Sequence, residues 1–442
     1  MTAAISFPDR AAIRSQQWNA LQQLVRALVP SNAFYTRKIR QAGLEESIAT
    51  PAEFSRLEFT TKPEIAKDQS DHPPYGSNLT FPIERYTRFH QTSGTTGAPI
   101  RWLDTPASWD WMVESWRKIF LAAGVTPYDR VLFTFSFGPF IGFWLAFEAA
   151  QRIGCLCLPG GGLSSSARLK LMIENEATVL CCTPTYALRL AEVARADGLD
   201  MSRLRLRTIL VAGEPGGSVP ATRARIESLW PRARIFDHHG MTETGPVTHE
   251  CPNRPGRLHV IESAYLAEVL DPKTNEPTLP GHTGELILTT LGRIGSPLLR
   301  YRTGDLVRPG TDLTDTQPAR PCDCGRFDLA LDGGILGRVD DMIIVRGVNL
   351  FPSAVEDVIR SVAEIVEFQV VVTPSATGTE LSVQIEAAPG CSQTSELARG
   401  LEKRFQDHFA LRIPVTAVSS GTLPRFEMKA KRWIKKTGGK DI

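Results

Sequence analysis

The central part of the chain alternates short apolar runs with longer segments of helical periodicity. The apolar runs lie at 131–135, 178–182, 208–211 and 234–236, and the helical segments at 167–175, 186–196 and 221–229. Short apolar runs are typical of strands buried on both faces, and their alternation with helices favours parallel pairing through crossover connections. The pattern therefore predicts an α/β architecture with parallel sheet.

The flanking regions have a different character. Residues 11–48 follow a helical apolar pattern, whereas prolines at 63, 73, 74 and 82 predict irregular chain. Short strands with Gly and Pro turns are expected at 258–310, as a β-rich subdomain beside the α/β body. After residue 337 the pattern predicts helices at 352–362 and 395–409 and strands at 368–373, 381–387 and 415–418. We therefore predict a large domain over 1–337 and a small α+β domain over 338–442.

Composition excludes several classes of protein. Fifty basic residues balance 48 acidic ones, and the short basic run near the C-terminus is typical of a solvated face, so nucleic acid is not an expected partner. Residues 131–147 carry no charge, but they include two glycines and a proline and are too few for a membrane span. The first ten residues have no signal-peptide pattern, and we expect a cytoplasmic protein without membrane contact.

A hexapeptide rich in hydroxyl groups and glycine stands at 92–97, and it reads Thr-Ser-Gly-Thr-Thr-Gly. Glycine lets backbone N–H groups approach an anion closely, and the hydroxyl groups add further hydrogen-bond donors. The segment lacks the Gly-Lys-Ser/Thr ending of a Walker A loop. It is interpreted as a phosphate-binding loop, for which a simple linker is the alternative.

Four more motifs follow this loop in a fixed order. They are Asp237-His-His-Gly-Met-Thr-Glu243, Tyr301-Arg-Thr-Gly-Asp305, Gly337-Arg-Val-Asp-Asp341 and Arg346-Gly-Val-Asn349. In this order they resemble the motifs of the acyl-adenylate-forming enzymes, which include acyl-CoA synthetases, peptide-synthetase adenylation domains and luciferases. Within these enzymes the chain is most similar to the phenylacetate–CoA ligase group, over nearly its whole length.

The resemblance implies a nucleotide site for ATP and Mg²⁺. The phosphate loop would use Ser93, Gly94, Thr95, Thr96 and Gly97. Thr242 would contact the α-phosphate, and Glu243 would hold Mg²⁺, for which a carboxylate is a suitable hard ligand. Asp305 would accept hydrogen bonds from the ribose hydroxyls with support from Arg338. The adenine pocket would be lined by Gly213, Glu214, Pro215, His239, Gly240 and Met241.

The resemblance also implies a mobile C-terminal domain. Lys429 matches the lysine that bridges the attacking carboxylate and the α-phosphate, and Lys431 is a weaker candidate. The pivot matches Asp340. Rotation would withdraw Lys429 and bring the loop with Arg346 and Gly347 to the path of the coenzyme A thiol.

Three positions depart from the family pattern. Ala98 replaces a lysine of the phosphate loop, so one cation for the phosphates is missing. His239 replaces the tyrosine that stacks on adenine, and Met428 replaces the glycine before the lysine. These changes leave room for altered chemistry.

The cysteines suggest a metal site. Cys322 and Cys324 form a Cys-x-Cys turn between Pro321 and Gly325, and Cys251 and His259 flank a seven-residue turn. Three thiolates and one imidazole suit tetrahedral Zn²⁺, and His249 could replace His259. A closed set of four ligands would be structural and would pin the β-rich subdomain to the body. The cysteines at 155, 157, 181 and 182 are expected in the core.

An aromatic run follows the first predicted strand of the body. In the family, the corresponding segment lines the acyl pocket, and the candidates here are Phe135, Phe137, Phe140, Phe143 and Trp144. Aromatic walls favour a flat, ring-bearing acid, although core packing is the alternative for each residue.

The leading hypothesis is an acid–CoA ligase that uses ATP, Mg²⁺ and coenzyme A. An adenylating enzyme with an amine or carrier-protein acceptor and a non-catalytic nucleotide-binding relative are the alternatives. Retention of Lys429, Glu243, Asp305 and Arg338 argues against the non-catalytic relative. A homodimer is open as the assembly state.

Overall fold

The computed structural model describes residues 7–44, 48–92, 99–135, 137–139, 141–311, 320–346, 348–375, 378–427 and 430–436. The N-terminal part consists of helices α1 (Arg10–Leu28), α2 (Ala33–Gln41), α3 (Pro51–Ser55) and α4 (Lys62–Asp71), the hairpin β1 (Arg88–Gln91) and β2 (Arg101–Asp104), and helix α5 (Pro106–Ala122). Irregular chain at Pro63 was a wrong prediction. Proline is compatible with a first helical turn, and Thr61 and Glu64 close a capping box there.

The body is a parallel sheet, as the strand–helix alternation predicts. Its elements are β3 (Arg130–Phe133), α6 (Ile141–Ile153), β4 (Leu156–Pro159), α7 (Ser165–Glu174), β5 (Val179–Cys182), α8 (Pro184–Ala196), β6 (Thr208–Val211), α9 (Pro220–Leu229) and β7 (Arg234–Asp237). The described residues form five parallel strands in the order β4-β3-β5-β6-β7. Cys155, Cys181 and Cys182 are buried in the core against this sheet, as expected.

The β-rich region contains a short hairpin and two antiparallel sheets in its described residues. Its strands are β8 (Gly240–Met241), β9 (Gly245–Pro246), β10 (Thr248–Glu250), β11 (Arg257–Val260), β12 (Tyr265–Leu270), β13 (Gly284–Thr290), β14 (Tyr301–Val307), β15 (Ala330–Asp332) and β16 (Gly337–Arg338). Strands β8 and β9 form the hairpin, β10, β11 and β15 form one sheet, and β12, β13, β14 and β16 form the other. Each of the two sheets ends with a strand beyond the predicted range 258–310.

The C-terminal unit is α+β. Its elements are β17 (Ile343–Val345), β18 (Val348–Leu350), α10 (Pro352–Arg360), β19 (Ile365–Ser375), β20 (Gly378–Ala387), α11 (Thr394–Phe409), β21 (Val415–Val418) and β22 (Trp433–Lys435). The pattern predicts α10, α11, β19, β20 and β21. It misses the β17–β18 hairpin and β22, whose three-residue strands are too short to carry a periodic signal.

The uncharged segment 131–147 is divided between β3, a loop and α6. Among the described residues, no helix has the length and apolar character needed to cross a membrane.

Candidate functional site

The motif that ends in Glu243 lies at the carboxyl end of β7, where it forms the β8–β9 hairpin. Arg293 fixes this hairpin, because its Nη1 atom donates to the backbone oxygens of Thr242 at 2.9 Å and Glu243 at 2.7 Å. The guanidinium also binds Asp104 through two 2.7 Å hydrogen bonds, and both side chains are fully buried. Sequence reasoning misses this pair, since neither residue belongs to a motif.

Glycine is required at the start of the hairpin. A Cβ atom on Gly240 would lie 2.8 Å from the backbone oxygen of Gly245 on the opposite strand. That distance is too short for any larger residue without a shift of the backbone. The two strands of the hairpin therefore approach each other closely at Gly240, the residue between His239 and Met241.

Lys62 lies beside the carboxylate of Glu243. Its Nζ atom is 3.0 Å from Glu243 Oε1, and its side chain remains 46% exposed whereas that of Glu243 is buried. Lys62 opens helix α4 in the N-terminal part, far from every motif in the sequence. The structure therefore supplies a cation near Glu243, although Ala98 removes one from the phosphate loop. The predicted phosphate loop, Ser93 to Gly97, and the following Ala98 lie outside the described residues.

Asp305 and Arg338 face each other across two paired strands, β14 and β16. Arg338 Nη1 donates to Asp305 Oδ1 at 3.1 Å, and this carboxylate is almost fully buried. The other oxygen, Oδ2, lies 3.0 Å from His239 Nε2 without hydrogen-bond geometry. In the described part of the chain neither of these two buried atoms has a hydrogen-bond partner. A buried carboxylate oxygen without a donor is an unsatisfied acceptor that a bound hydroxyl group could pair with.

Asp340 follows this cluster in a short 3₁₀ helix, Val339–Asp341, between the last strand of the large part and the first strand of the small unit. Its carboxylate accepts from Arg338 Nε at 2.9 Å and is largely exposed. Arg346 lies at the turn of the β17–β18 hairpin with a positive φ of 49°, and its side chain is 3.6 Å from Glu380. Gly347 lies outside the described residues.

Glu214 lies after β6, where the chain turns back towards α9. Gly213 and Pro215 beside it are exposed. The Glu214 carboxylate accepts from the Thr185 N–H at 2.8 Å and from the Ala430 N–H at 2.9 Å. Lys429, the residue before Ala430, lies outside the described residues. Glu214 thus has a contact to the C-terminal segment that the motif pattern does not indicate.

Three of the described aromatic rings after β3 form a cluster. The rings of Phe137 and Trp144 are 4.8 Å apart, and those of Phe137 and Phe147 are 5.2 Å apart. Trp144 Nε1 donates to the backbone oxygen of Gly138 at 2.9 Å, which fixes the indole. Phe135 is buried. Phe140 lies outside the described residues, and so does the side chain of Phe143.

His238 is a further polar group to which the sequence analysis assigns no role. Its ring lies edge-on to Trp116 with the centroids 4.3 Å apart. Burial lowers the pKa of His238 to about 3, so the imidazole is neutral. Within the described ranges, both ring nitrogens are buried without a hydrogen-bond partner. A buried polar group without a hydrogen bond is costly to the fold.

The predicted cysteine and histidine set comes together. Cys251, His259, Cys322 and Cys324 place their ligand atoms within 4.8 Å of one another. His259 rather than His249 joins the set, because it is His259 whose Nε2 atom lies among the thiols, 3.5 Å from Cys324 Sγ. Cys251 follows β10, His259 lies on β11, and the two other cysteines precede β15. The set therefore joins parts of a single three-stranded sheet rather than the β-rich subdomain and the body.

The distances in this set fit zinc. Cys251 Sγ and Cys322 Sγ are 3.7 Å apart, and Cys324 Sγ and His259 Nε2 are 3.5 Å apart. A tetrahedral site with Zn–S bonds of about 2.3 Å has neighbouring sulfurs about 3.7 Å apart. The backbone oxygen of Asp328 lies 3.3 Å from His259 Nδ1, so Nε2 faces the thiols.

Comparison with known families matches both parts of the chain. Residues 89–292 match the model of the AMP-binding enzymes, and residues 347–436 match the model of the AMP-binding enzyme C-terminal domain. The chain is 31% identical to the phenylacetate-coenzyme A ligase of Thermus thermophilus over 440 residues, which cover 95% of each chain.

The solved structure of a 2-hydroxyisobutyryl-CoA ligase is similar over almost the whole chain. In the postadenylation state with R3-HIB-AMP, that ligase superposes with a TM-score of 0.89 at 26% identity, covering 98% of this chain and 91% of its own. In the thioesterification state with 2-HIB-AMP and CoA, the TM-score is 0.71 at 27% identity, with 97% and 91% covered. The arrangement of the two parts in this chain therefore resembles the postadenylation state.

Proposed function

This chain belongs to the AMP-binding enzyme family and, within it, to the acid–CoA ligases that form acyl-adenylates, and we propose that its substrate is a small aromatic carboxylic acid. In the proposed reaction the acid attacks the α-phosphorus of ATP and pyrophosphate leaves. The acyl group then passes from the adenylate to the thiol of coenzyme A. We further propose that residues 1–337 carry the nucleotide and that residues 338–442 rotate about Asp340 between the two steps.

The observation that carries the nucleotide site is the cluster of Asp305, Arg338 and His239. Asp305 is buried and charge-paired on one oxygen, while its other oxygen has no donor among the described residues. A ribose hydroxyl would satisfy that oxygen, and the imidazole of His239 would lie against the base. An unsatisfied buried acceptor beside a ring is the arrangement expected of a nucleoside pocket.

The phosphates would lie towards Thr242, Glu243 and Lys62. Mg²⁺ is commonly held by one or two carboxylates together with substrate phosphates, and Glu243 supplies one such carboxylate. Lys62 would pair with phosphate oxygens in place of the missing loop lysine. Together with the loop at 93–97 and Lys429, these groups would neutralise the charge that develops on the phosphates.

The aromatic nature of the acid rests on the ring cluster after β3. Phe137 and Trp144 present tilted faces 4.8 Å apart, and their neighbours in the run are also aromatic. A flat ring gains more from edge and face contacts in such a wall than a branched aliphatic chain does.

Pyrophosphate release from ATP tests the proposal. The panel would include phenylacetate, benzoate, an aminobenzoate, 2-hydroxyisobutyrate and a short fatty acid, each with and without coenzyme A. We expect turnover with an aromatic acid that requires coenzyme A and Mg²⁺. Release that is indifferent to coenzyme A would favour an amine or carrier-protein acceptor. Turnover only with aliphatic acids would contradict the aromatic assignment, and no release with any acid would favour a non-catalytic relative.

A structural zinc ion is proposed for Cys251, His259, Cys322 and Cys324. Four protein ligands leave no open position, so the ion would stabilise the small sheet and take no part in the reaction. It would hold the turn at 322–324 against the β10–β11 hairpin.

A further inference from the structure

The segment on either side of Lys429 is held by the large part of the chain. On the N-terminal side, Ser165 Oγ donates to Glu427 Oε1 at 3.1 Å. On the C-terminal side, the Ala430 N–H donates to Glu214, and Arg432 Nη1 donates to Thr185 Oγ1 at 3.1 Å. Among these contacts of the described residues, only the bond from Ala430 to Glu214 holds the backbone directly next to Lys429.

Glu214 is matched to this task by its two oxygens. Oε1 accepts from the Thr185 N–H, which lies in the first turn of α8, and this bond anchors the carboxylate on the large part. Oε2 is thereby aimed at the Ala430 N–H. A free first-turn N–H and its helix dipole favour a carboxylate, and hydrogen bonds to an ionised acceptor are stronger than neutral ones.

The neighbouring Arg432 is held mainly within the small unit. Its guanidinium binds Glu367 of β19 at 2.6 Å and 3.1 Å, and this pair would move with the unit as a whole. Its single bond to Thr185 and the bond from Ala430 to Glu214 both join the two units, so rotation of the small unit must break both. Of these two bonds, the one to Glu214 involves a carboxylate and holds the backbone beside Lys429.

We propose that Glu214 is a positioning residue, which holds the Lys429 segment at the active site for adenylation and releases it for transfer to coenzyme A. This inference rests on the proposed function and assigns Glu214 a role beyond lining the adenine pocket. The superposition agrees with it, because the arrangement that contains this bond resembles the postadenylation state more than the thioesterification state.

The substitution Glu214→Gln tests the role with almost no change of shape. A carboxylate accepts from two N–H groups at once, whereas an amide must turn its NH₂ group towards one of them. Glu174→Gln is the matched control, because Glu174 is an exposed carboxylate at the end of α7.

Two measurements are needed. The first is the rate of pyrophosphate release and, separately, the rate of transfer from a preformed acyl-adenylate to coenzyme A. We expect Glu214→Gln to slow adenylation about tenfold, which corresponds to one charge-assisted hydrogen bond. Transfer should stay within about twofold of the unchanged enzyme, and Glu174→Gln should alter neither step. An equal loss in both steps would overturn the proposal, because a merely structural defect acts on both.

The second measurement is hydrogen exchange of the peptide 427–436 in the protein alone, which needs no turnover. We expect the Ala430 amide to be protected in the unchanged protein and to exchange about tenfold faster in Glu214→Gln. Equal exchange in the two proteins would overturn the proposal. This readout also separates it from the proposed function, since absence of pyrophosphate release would contradict the function and leave the exchange result standing.

Discussion

The proposed active site has two halves that are held in different ways. The fixed half comprises Asp305, His239, Thr242 and Glu243 of the large part, together with Arg338 at the boundary, whose strand β16 pairs with β14. It is backed by the fully buried pair of Asp104 and Arg293. The delivered half is the segment 427–432, whose described residues Glu427, Ala430 and Arg432 each form a hydrogen bond with the large part.

The contrast suits the proposed two-step reaction. A buried bidentate ion pair is costly to break, so we expect the fixed half to keep one geometry through both steps. Single hydrogen bonds each contribute little, so we expect the delivered half to leave without disturbing the fixed half. The fixed half is thus held firmly enough to stay in place, and the delivered half is held weakly enough to move between the two steps.

The largest expected effect is on the fixed half. Arg293→Met should lower the free energy of unfolding by about 3–5 kcal/mol, because it leaves Asp104 buried and unpaired. The rates of adenylation and of transfer to coenzyme A should both fall, since the Thr242–Glu243 turn loses the hydrogen bonds from Arg293. Thermal unfolding and the two half-reaction rates measure this.

The double variant Asp104→Leu with Arg293→Met is the control, and it should recover much of the lost stability. If Arg293→Met spared one half-reaction while slowing the other, the fixed half would not act as a single unit.

The delivered half should respond selectively. Lys429→Ala should lower adenylation by about 10²–10³-fold, as loss of a charge that stabilises the transition state does. Transfer from a preformed adenylate should be largely unaffected. Lys431→Ala, which removes a nearby exposed lysine, should leave both rates unchanged. Equal loss of both steps in Lys429→Ala would refute the rotation of the small unit.

The metal set offers a test remote from the reacting groups. We expect about one zinc per chain by elemental analysis, and Cys322→Ser should remove it and lower the free energy of unfolding by on the order of 3 kcal/mol. Both half-reactions should fall equally and only with the loss of folded protein. Cys391→Ser should retain the metal, because Cys391 lies on the small unit. Full metal content in Cys322→Ser would contradict the assignment.

The smallest expected effect is a gain in the stability of the fold. His238→Leu should raise the free energy of unfolding by about 1 kcal/mol, because it removes a buried imidazole without hydrogen bonds among the described residues. Thermal unfolding measures this change, and His282→Leu, at an exposed histidine, should leave the free energy of unfolding unchanged. A loss of stability in His238→Leu would mean that His238 has a structural partner.

The sequence predicts the body of the fold well. The strands β5, β6 and β7 and the helices between them follow from apolar periodicity within two residues of their observed ends. The order of the motifs also predicts which residues meet, since Asp305 and Arg338 do pair. Short pieces such as β17, β18 and β22 were beyond prediction because two or three residues cannot display a period.

The cysteine and histidine set could be predicted from the sequence in part. Cysteine spacing indicates which turns could chelate, and it names the four residues that the fold brings together. The choice between His249 and His259 required the β10–β11 hairpin. Adjacent strands oppose these two histidines, and only one of them has its free nitrogen towards the thiols.

The alternation of strands and helices, the chemistry available in each motif and the order of the motifs can all be read from the sequence. The elements depend on neighbours within a few residues, through local periodicity and turn preferences. The contacts of Lys62 with Glu243, Arg293 with Asp104 and Glu214 with Ala430 follow only from the folded arrangement of the chain. The last two contacts join residues 189 and 216 positions apart. Such polar pairs form because the packed core brings distant segments together, and their sequence carries no local signal of the partner.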